Sequence, residues 1–172
     1  MTTYLLWTLA GFGGALVINS FVEWGVHRFI MHKPSKLIPY GYLHTTSHHR
    51  VFGAGADYHV LRPEMREHGI GFTWREYVLF PIFCSALYLP VQLLTGRPVY
   101  LGALAAVFAG LVAFDVLHRR FHEPRDTWFQ RSRVFRFLKE HHRLHHADMT
   151  RNFNVTFPLA DLCLGTLRRK AT

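Results

Sequence analysis

Apolar residues fall into three long uninterrupted blocks, with the charges between and after them. The first block runs from Tyr4 to Val22, the second from Tyr77 to Leu94 and the third from Pro98 to Phe114, and only residues 95–97 separate the last two. A membrane-crossing helix needs roughly 20 predominantly apolar residues, so the pattern predicts three spans, the last two joined as a tight helical hairpin. No Lys or Arg precedes the first block and no small-residue cleavage site follows it, so it is read as a permanent helix rather than a signal peptide. Pro81 and Pro90 lie inside the second block and predict a kink. In the third, Gly102, Ala106 and Gly110 recur every four residues, with a similar edge at Gly11 and Ala15 in the first. Small residues at this spacing let helix backbones approach closely in a membrane. No segment shows a convincing strand pattern, no repeat is present, and the chain reads as one domain over residues 1–172.

Charge then orients the spans. Three crossings put residues 23–76 and 115–172 on one side. All of the 20 Lys and Arg residues except Arg97 fall there, so the positive-inside rule places that side in the cytoplasm and the N-terminus opposite. The formal charge of +9 fits basic loops facing an anionic leaflet. No nucleic-acid reader motif is present, and nucleic acid is not an expected partner. Cys84 and Cys163 have neither metal-ligand nor disulfide-framework spacing.

Composition changes the picture through histidine: 13 residues, more than the 11 Asp and Glu combined. Ten of them form four clusters: His27 and His32; His44, His48 and His49; His118 and His122; His142, His145 and His146. On a helix, residues at i, i+3 and i+4 share a face. His118 and His122 therefore point together, as do His142, His145 and His146, which can serve one metal or bridge toward two. His44 and His48 share a face, with His49 rotated by about 100°. His27 and His32 lie about 140° apart on an ideal helix, so they serve different metals or the helix distorts between them. Imidazole suits Zn, Cu, Fe or Ni, and ten ligands match two metals with four or five each. A metal transporter would place histidines within its spans, whereas all 13 lie outside the three blocks. A bis-histidine haem site would leave most of the clusters unexplained.

The order H-x4-H, H-x3-HH, H-x3-H, H-x2-HH resembles the fatty acid hydroxylase superfamily, which includes sterol desaturases, fatty acid 2-hydroxylases and carotene hydroxylases. The segment Asn152-Phe-Asn-Val-Thr-Phe-Pro158, followed by Asp161 and Gly165-Thr166, resembles the stretch after that superfamily's last box, and the similarity spans roughly residues 20 to 167. The resemblance implies an all-α fold, with multi-pass membrane helices and a cytoplasmic helical cap holding the dimetal site. It implies two iron ions, replaceable by zinc during purification, O2 as co-substrate, and an external electron donor of ferredoxin or cytochrome b5 type. The activity implied is hydroxylation or desaturation of a lipid drawn from the bilayer. Carried over residue by residue, the metal ligands are His27, His32, His44, His48, His49, His118, His122, His142, His145 and His146. His59, His68 and His141 fall outside the pattern. The chain's short length is similar to that of carotene hydroxylases, which makes a carotenoid ring the alternative substrate. The C-terminal segment resembles the fatty acid and sterol enzymes more, and favours a fatty-acyl or related lipid.

Metal-bound histidines usually donate their other ring N–H to an acceptor. Glu23 and Asp115 each lie one turn before a box histidine, at the membrane end of a helix, and are candidate acceptors. Asn152 and Asn154 are further candidates. The segment from Arg50 to Thr73 is long for a loop and carries Gly53, Gly55, Gly69 and Gly71. It reads either as a substrate-gating lid or as a plain interfacial loop.

Overall fold

The computed structural model describes residues 1–34, 44–59, 72–124 and 127–169. These are all-helical, with no strand among the described residues. The α-helices are α1 (Thr2–Val26), α2 (His49–Val51), α3 (Trp74–Thr95), α4 (Tyr100–Phe121), α5 (Arg133–Ala147) and α6 (Leu159–Cys163). π-Helical turns cover His27–Met31 and His44–His48, and a 3-10 turn covers Ala56–Tyr58. Three stretches are long and apolar enough to cross a membrane: Thr2–Met31, Trp74–Thr95 and Tyr100–Phe121. The first two contain the first two apolar blocks whole, and the third begins two residues inside its block and runs past its end.

The chain divides into two compact units. One comprises Met1–Asn19 and Phe72–Phe114. Its core is Ala15, Cys84, Tyr88, Ala103, Ala106, Val107 and Leu111, with Phe12, Phe80 and Tyr100 against them. The small-residue edges are where its helices meet. A Cβ on Gly102 would stand 1.8 Å from the Thr8 carbonyl oxygen, and one on Gly11 would stand 2.1 Å from that of Val99. Gly110 differs, since a Cβ there would meet nothing within 4 Å. Polar groups inside this unit are paired: the Tyr88 hydroxyl donates to Asn19 Oδ1 at 2.7 Å, and the Ser85 and Tyr100 hydroxyls lie 2.7 Å apart. Leu5, Leu9, Leu79, Ile82, Phe83 and Leu94 are exposed, as lipid-facing positions must be in a protein without a second apolar layer.

Helix α3 begins with a capping box between Thr73 and Glu76 and runs unbroken through Pro81 and Pro90. It ends on Gly96 at φ 62°, whose N–H donates to the Gln92 carbonyl. Glycine takes this left-handed conformation without a Cβ penalty, which makes so short a hairpin possible before α4.

The other unit comprises Ser20–Gly71 and Asp115–Thr172. Its organising element is α5, capped by Ser132 through the Phe135 N–H. Phe135, Leu138, His141, His142 and His145 are its buried residues. Their 3- and 4-residue spacing makes one inward stripe, and on that stripe histidines replace aliphatic residues from position 141 onward. The segment after α5 is fixed by Asn152 at φ 54°. Its side chain donates to the His141 and Arg168 carbonyls and accepts from the Arg168 N–H. Of the Arg50–Thr73 segment, read as either a lid or an interfacial loop, residues 60–71 lie outside the described residues, His68 among them.

Candidate metal centre

Two groups of five histidines form inside the second unit. One is His27, His32, His44, His49 and His145; the other is His48, His118, His122, His142 and His146. In each group the five ligand nitrogens lie within 4.8 Å of one another. All ten box histidines are thus brought together. His59 and His141 belong to neither group.

The two π turns explain this partition. A π turn closes i→i+5 hydrogen bonds, so residues five apart come nearly into line. His27 and His32 stack with ring centroids 4.9 Å apart. Of the two alternatives read from sequence, helix distortion is the one the structure adopts, and both histidines face the same group. The second box departs from the α-helical expectation. His44 and His49, five apart, share a group with Nε2 atoms 3.1 Å apart, and His48 faces the other group. On α5, His142 and His146 face one group and His145 the other, so this helix serves both.

Backbone carbonyls fix the ring orientations. His27 Nδ1 donates to the Phe153 carbonyl. His145 Nδ1 donates to Arg151 (2.7 Å), His146 Nδ1 to Phe52 (2.6 Å) and His122 Nδ1 to Tyr58 (2.7 Å). His32 Nδ1 lies 3.0 Å from Thr45 Oγ1, whose own proton goes to the Met31 carbonyl. That hydroxyl can only accept, so His32 also carries its proton on Nδ1. Each of these rings therefore presents a bare Nε2 to its group.

Bare nitrogens face one another at short range. His32 Nε2 and His145 Nε2 are 3.0 Å apart, with no proton to share, so their lone pairs repel unless a cation lies between them. Nε2 separations elsewhere in the groups are 2.9–3.2 Å. Two nitrogens bonded to one ion at ~2.0–2.1 Å and near-right or tetrahedral angles lie about 2.9–3.4 Å apart. Protonation does not substitute for a metal here. Burial, and then the neighbouring imidazoles, hold His44, His48, His142 and His145 well below the usual histidine range. Burial brings His32 and His146 down to about 4. The neutral imidazole that a metal requires is therefore the resident form. Both groups fit a transition metal that accepts nitrogen ligands.

Three of the side chains nominated as ring acceptors hold the backbone instead. Glu23 accepts from the Val155 and Thr156 N–H groups and the Thr156 hydroxyl, not from a ring nitrogen. Asp115 accepts from Arg119 at 3.1 Å. Asn152 and Asn154 tie backbone to backbone, the latter by donating to the Ser20 carbonyl and accepting from the Asp161 N–H. One buried charged residue was absent from the candidate set. Asp161, fully buried, accepts from the Phe153 and Asn154 N–H groups, the Thr166 hydroxyl and His141 Nε2. Burial opposes its ionisation, but these donors outweigh it and hold the carboxyl below its ordinary range. Its place in the Asn152–Thr166 motif was the available signal.

A family model described as fatty acid hydroxylase matches residues 12–166. The chain belongs to the fatty acid hydroxylase family. Comparison with curated proteins and with solved structures finds no match. The fatty acid hydroxylase family is a metal-dependent family of hydroxylase and desaturase oxidoreductases. With three candidate spans, this member of the family is an integral membrane protein.

Proposed function

We propose that the chain is an O2-dependent di-iron oxygenase that hydroxylates or desaturates a C–H bond of a fatty-acyl or related lipid. The observation that carries this reading is the pair of five-imidazole groups with Nε2 atoms 2.9–3.2 Å apart, in which His32 and His145 set two bare nitrogens against each other at 3.0 Å. In this reading His27, His32, His44, His49 and His145 hold one iron, and His48, His118, His122, His142 and His146 the other. Bound iron supplies reductive activation of O2 at the site. The protein's residues contribute position and environment. The Nδ1–H bonds to Phe153, Arg151, Phe52 and Tyr58 hold the rings in the ligating tautomer. Such partners orient ligands and raise their basicity. The buried rings of Phe52, Tyr58 and Phe153 pack against the histidines and keep water from the centre. Glu23 accepts the Val155 and Thr156 N–H donors, which fixes the segment that offers the Phe153 carbonyl.

Ten neutral ligands leave the metal charge uncompensated, which suits a site that exchanges electrons with an external ferredoxin- or cytochrome b5-type donor. The distribution of Lys and Arg supports a centre on the cytoplasmic side. The test is lipid profiling of cells with and without the protein, repeated with His118→Ala, His145→Ala and His68→Ala. The first two abolish the product and the third leaves most of it. Normal metal content and product in both His118→Ala and His145→Ala would overturn the reading.

A further inference from the structure

The Asp161 carboxylate accepts both peptide N–H groups of the Phe153–Asn154 stretch, and one of those contacts leads directly to a box histidine. The peptide group joining Phe153 to Asn154 has two ends. Its N–H, on Asn154, donates to Asp161 Oδ2 at 2.7 Å. Its carbonyl, on Phe153, accepts the His27 Nδ1–H. The other Asp161 oxygen takes the Phe153 N–H at 2.9 Å and the Thr166 hydroxyl at 2.6 Å, so the carboxylate cannot swing away. Asp161 and Asn154 are both fully buried, so no water screens the arrangement.

We propose that Asp161 is a positioning residue for the metal held by the His27 group, acting through the Phe153–Asn154 peptide as a carboxylate–peptide–histidine relay. The proposal rests on the metal-centre reading above and extends it. In many metal sites a carboxylate accepts the ligand histidine's N–H directly. Here one peptide group stands between the two. An anion accepting the peptide N–H polarises the peptide, because hydrogen bonds in a chain strengthen one another. The Phe153 carbonyl becomes a better acceptor, and His27 Nε2 becomes a stronger donor to the metal. His145, in the same group, is not on this path: its Nδ1–H goes to the Arg151 carbonyl, and the N–H of that peptide, on Asn152, donates to the Thr166 carbonyl at 3.1 Å. The relay therefore acts on one ligand of five.

A double-mutant cycle tests this. The full chain, purified in lipid nanodiscs and stripped of metal, is titrated with Co(II) against a chelator for wild type, Asp161→Asn, His27→Ala and the double variant. Visible absorption reports occupancy, and circular dichroism reports helix content. Asn keeps the shape of the side chain and removes its charge. Loss of a histidine's partner weakens metal binding about 10–100-fold, so through one peptide Asp161→Asn should weaken one of the two Co(II) ions about tenfold. In the His27→Ala background it should have no further effect. An equal loss in both backgrounds would show Asp161 acting only through the loop as a whole, and would overturn the relay. So would an Asp161→Asn protein that binds both ions as wild type does. If Asp161→Asn does not fold, replacing Asn154 by its α-hydroxy analogue removes the N–H of the relay and leaves the carboxylate in place. The ester so formed also weakens the Phe153 carbonyl as an acceptor, so the same replacement of Asn152, which weakens the Arg151 carbonyl that His145 uses but removes an N–H bound to a backbone carbonyl, is the control. The Asn154 replacement should weaken one ion more than the Asn152 replacement does, and equal losses would overturn the proposal. Wild-type protein that bound no Co(II) would instead refute the metal-centre reading, and the relay with it.

Discussion

Replacing His145 by Ala should separate metal binding from folding. His145 is fully buried and contributes one Nε2 to its group, 3.0 Å from that of His32. In the metal-free protein the change has two opposing effects. It removes a lone-pair repulsion at 3.0 Å, and it leaves the Arg151 carbonyl without its ring donor at 2.7 Å, an orphan worth about 1–3 kcal/mol. The metal-free stability should therefore move only modestly. The metal-loaded protein loses a ligand. The partners of metal-bound histidines alone are worth about 10–100-fold in affinity, so a ligand is worth at least about 100-fold. At saturating metal each tenfold loss removes about 1.4 kcal/mol of ligand-induced stability, so His145→Ala should lose about 2.7 kcal/mol of it. For a chain of this size that is a metal-induced rise in Tm smaller by about 5–10 °C. The assay is thermal unfolding of wild type and variant in nanodiscs, with and without Co(II) or Zn(II). Equal metal-induced shifts in the two proteins would refute the assignment of His145 as a ligand.

Acid should unfold the metal-free protein in a defined window. His32 and His146 titrate near 4 when folded, against 6.5 when free. The unfolded chain thus binds more protons in between, and stability present above pH 6.5 is lost as pH falls toward 4. Metal-free protein as stable to denaturant at pH 4.5 as at pH 7 would contradict this. Gly102→Ala should destabilise by about 1–3 kcal/mol, because its Cβ meets backbone rather than a movable side chain. Gly110→Ala, with nothing in reach, should stay within about 0.5 kcal/mol; denaturant unfolding of both variants checks the contrast. Accessibility tags at the C-terminus and within residues 50–72 should both report cytoplasm, and a signal from the opposite side for either would defeat the three-span topology.

The spans were legible because membrane helices must be continuously apolar, and the clustering of ten histidines because their spacing put them on shared faces. The partition of those histidines was not legible. Helical-wheel spacing assumes 3.6 residues per turn, and at His27–Met31 and His44–His48 the backbone widens to π turns, which regroups His44 with His49 rather than with His48. The ring acceptors were hidden for a different reason. Sequence reveals carboxylates such as Glu23 and Asp115, whereas four of the ring N–H groups go to the carbonyls of Phe52, Tyr58, Arg151 and Phe153, which every residue type carries alike. Asp161 lies 20 residues from its partner His141, and only the fold brings the two together. Asn152 and Asn154 were read as candidate ring acceptors. Their work is to satisfy backbone groups in the buried segment that faces the histidines.

The central claim is that ten histidines hold two metal ions. Its most direct test is the metal content of protein purified in nanodiscs after expression with supplemented iron, counted per chain and related to an anomalous-scattering map. The account predicts two transition-metal ions per chain, iron or zinc in its place, one within each five-histidine group. A well-folded protein saturating at one ion, or binding two outside these groups, would contradict it.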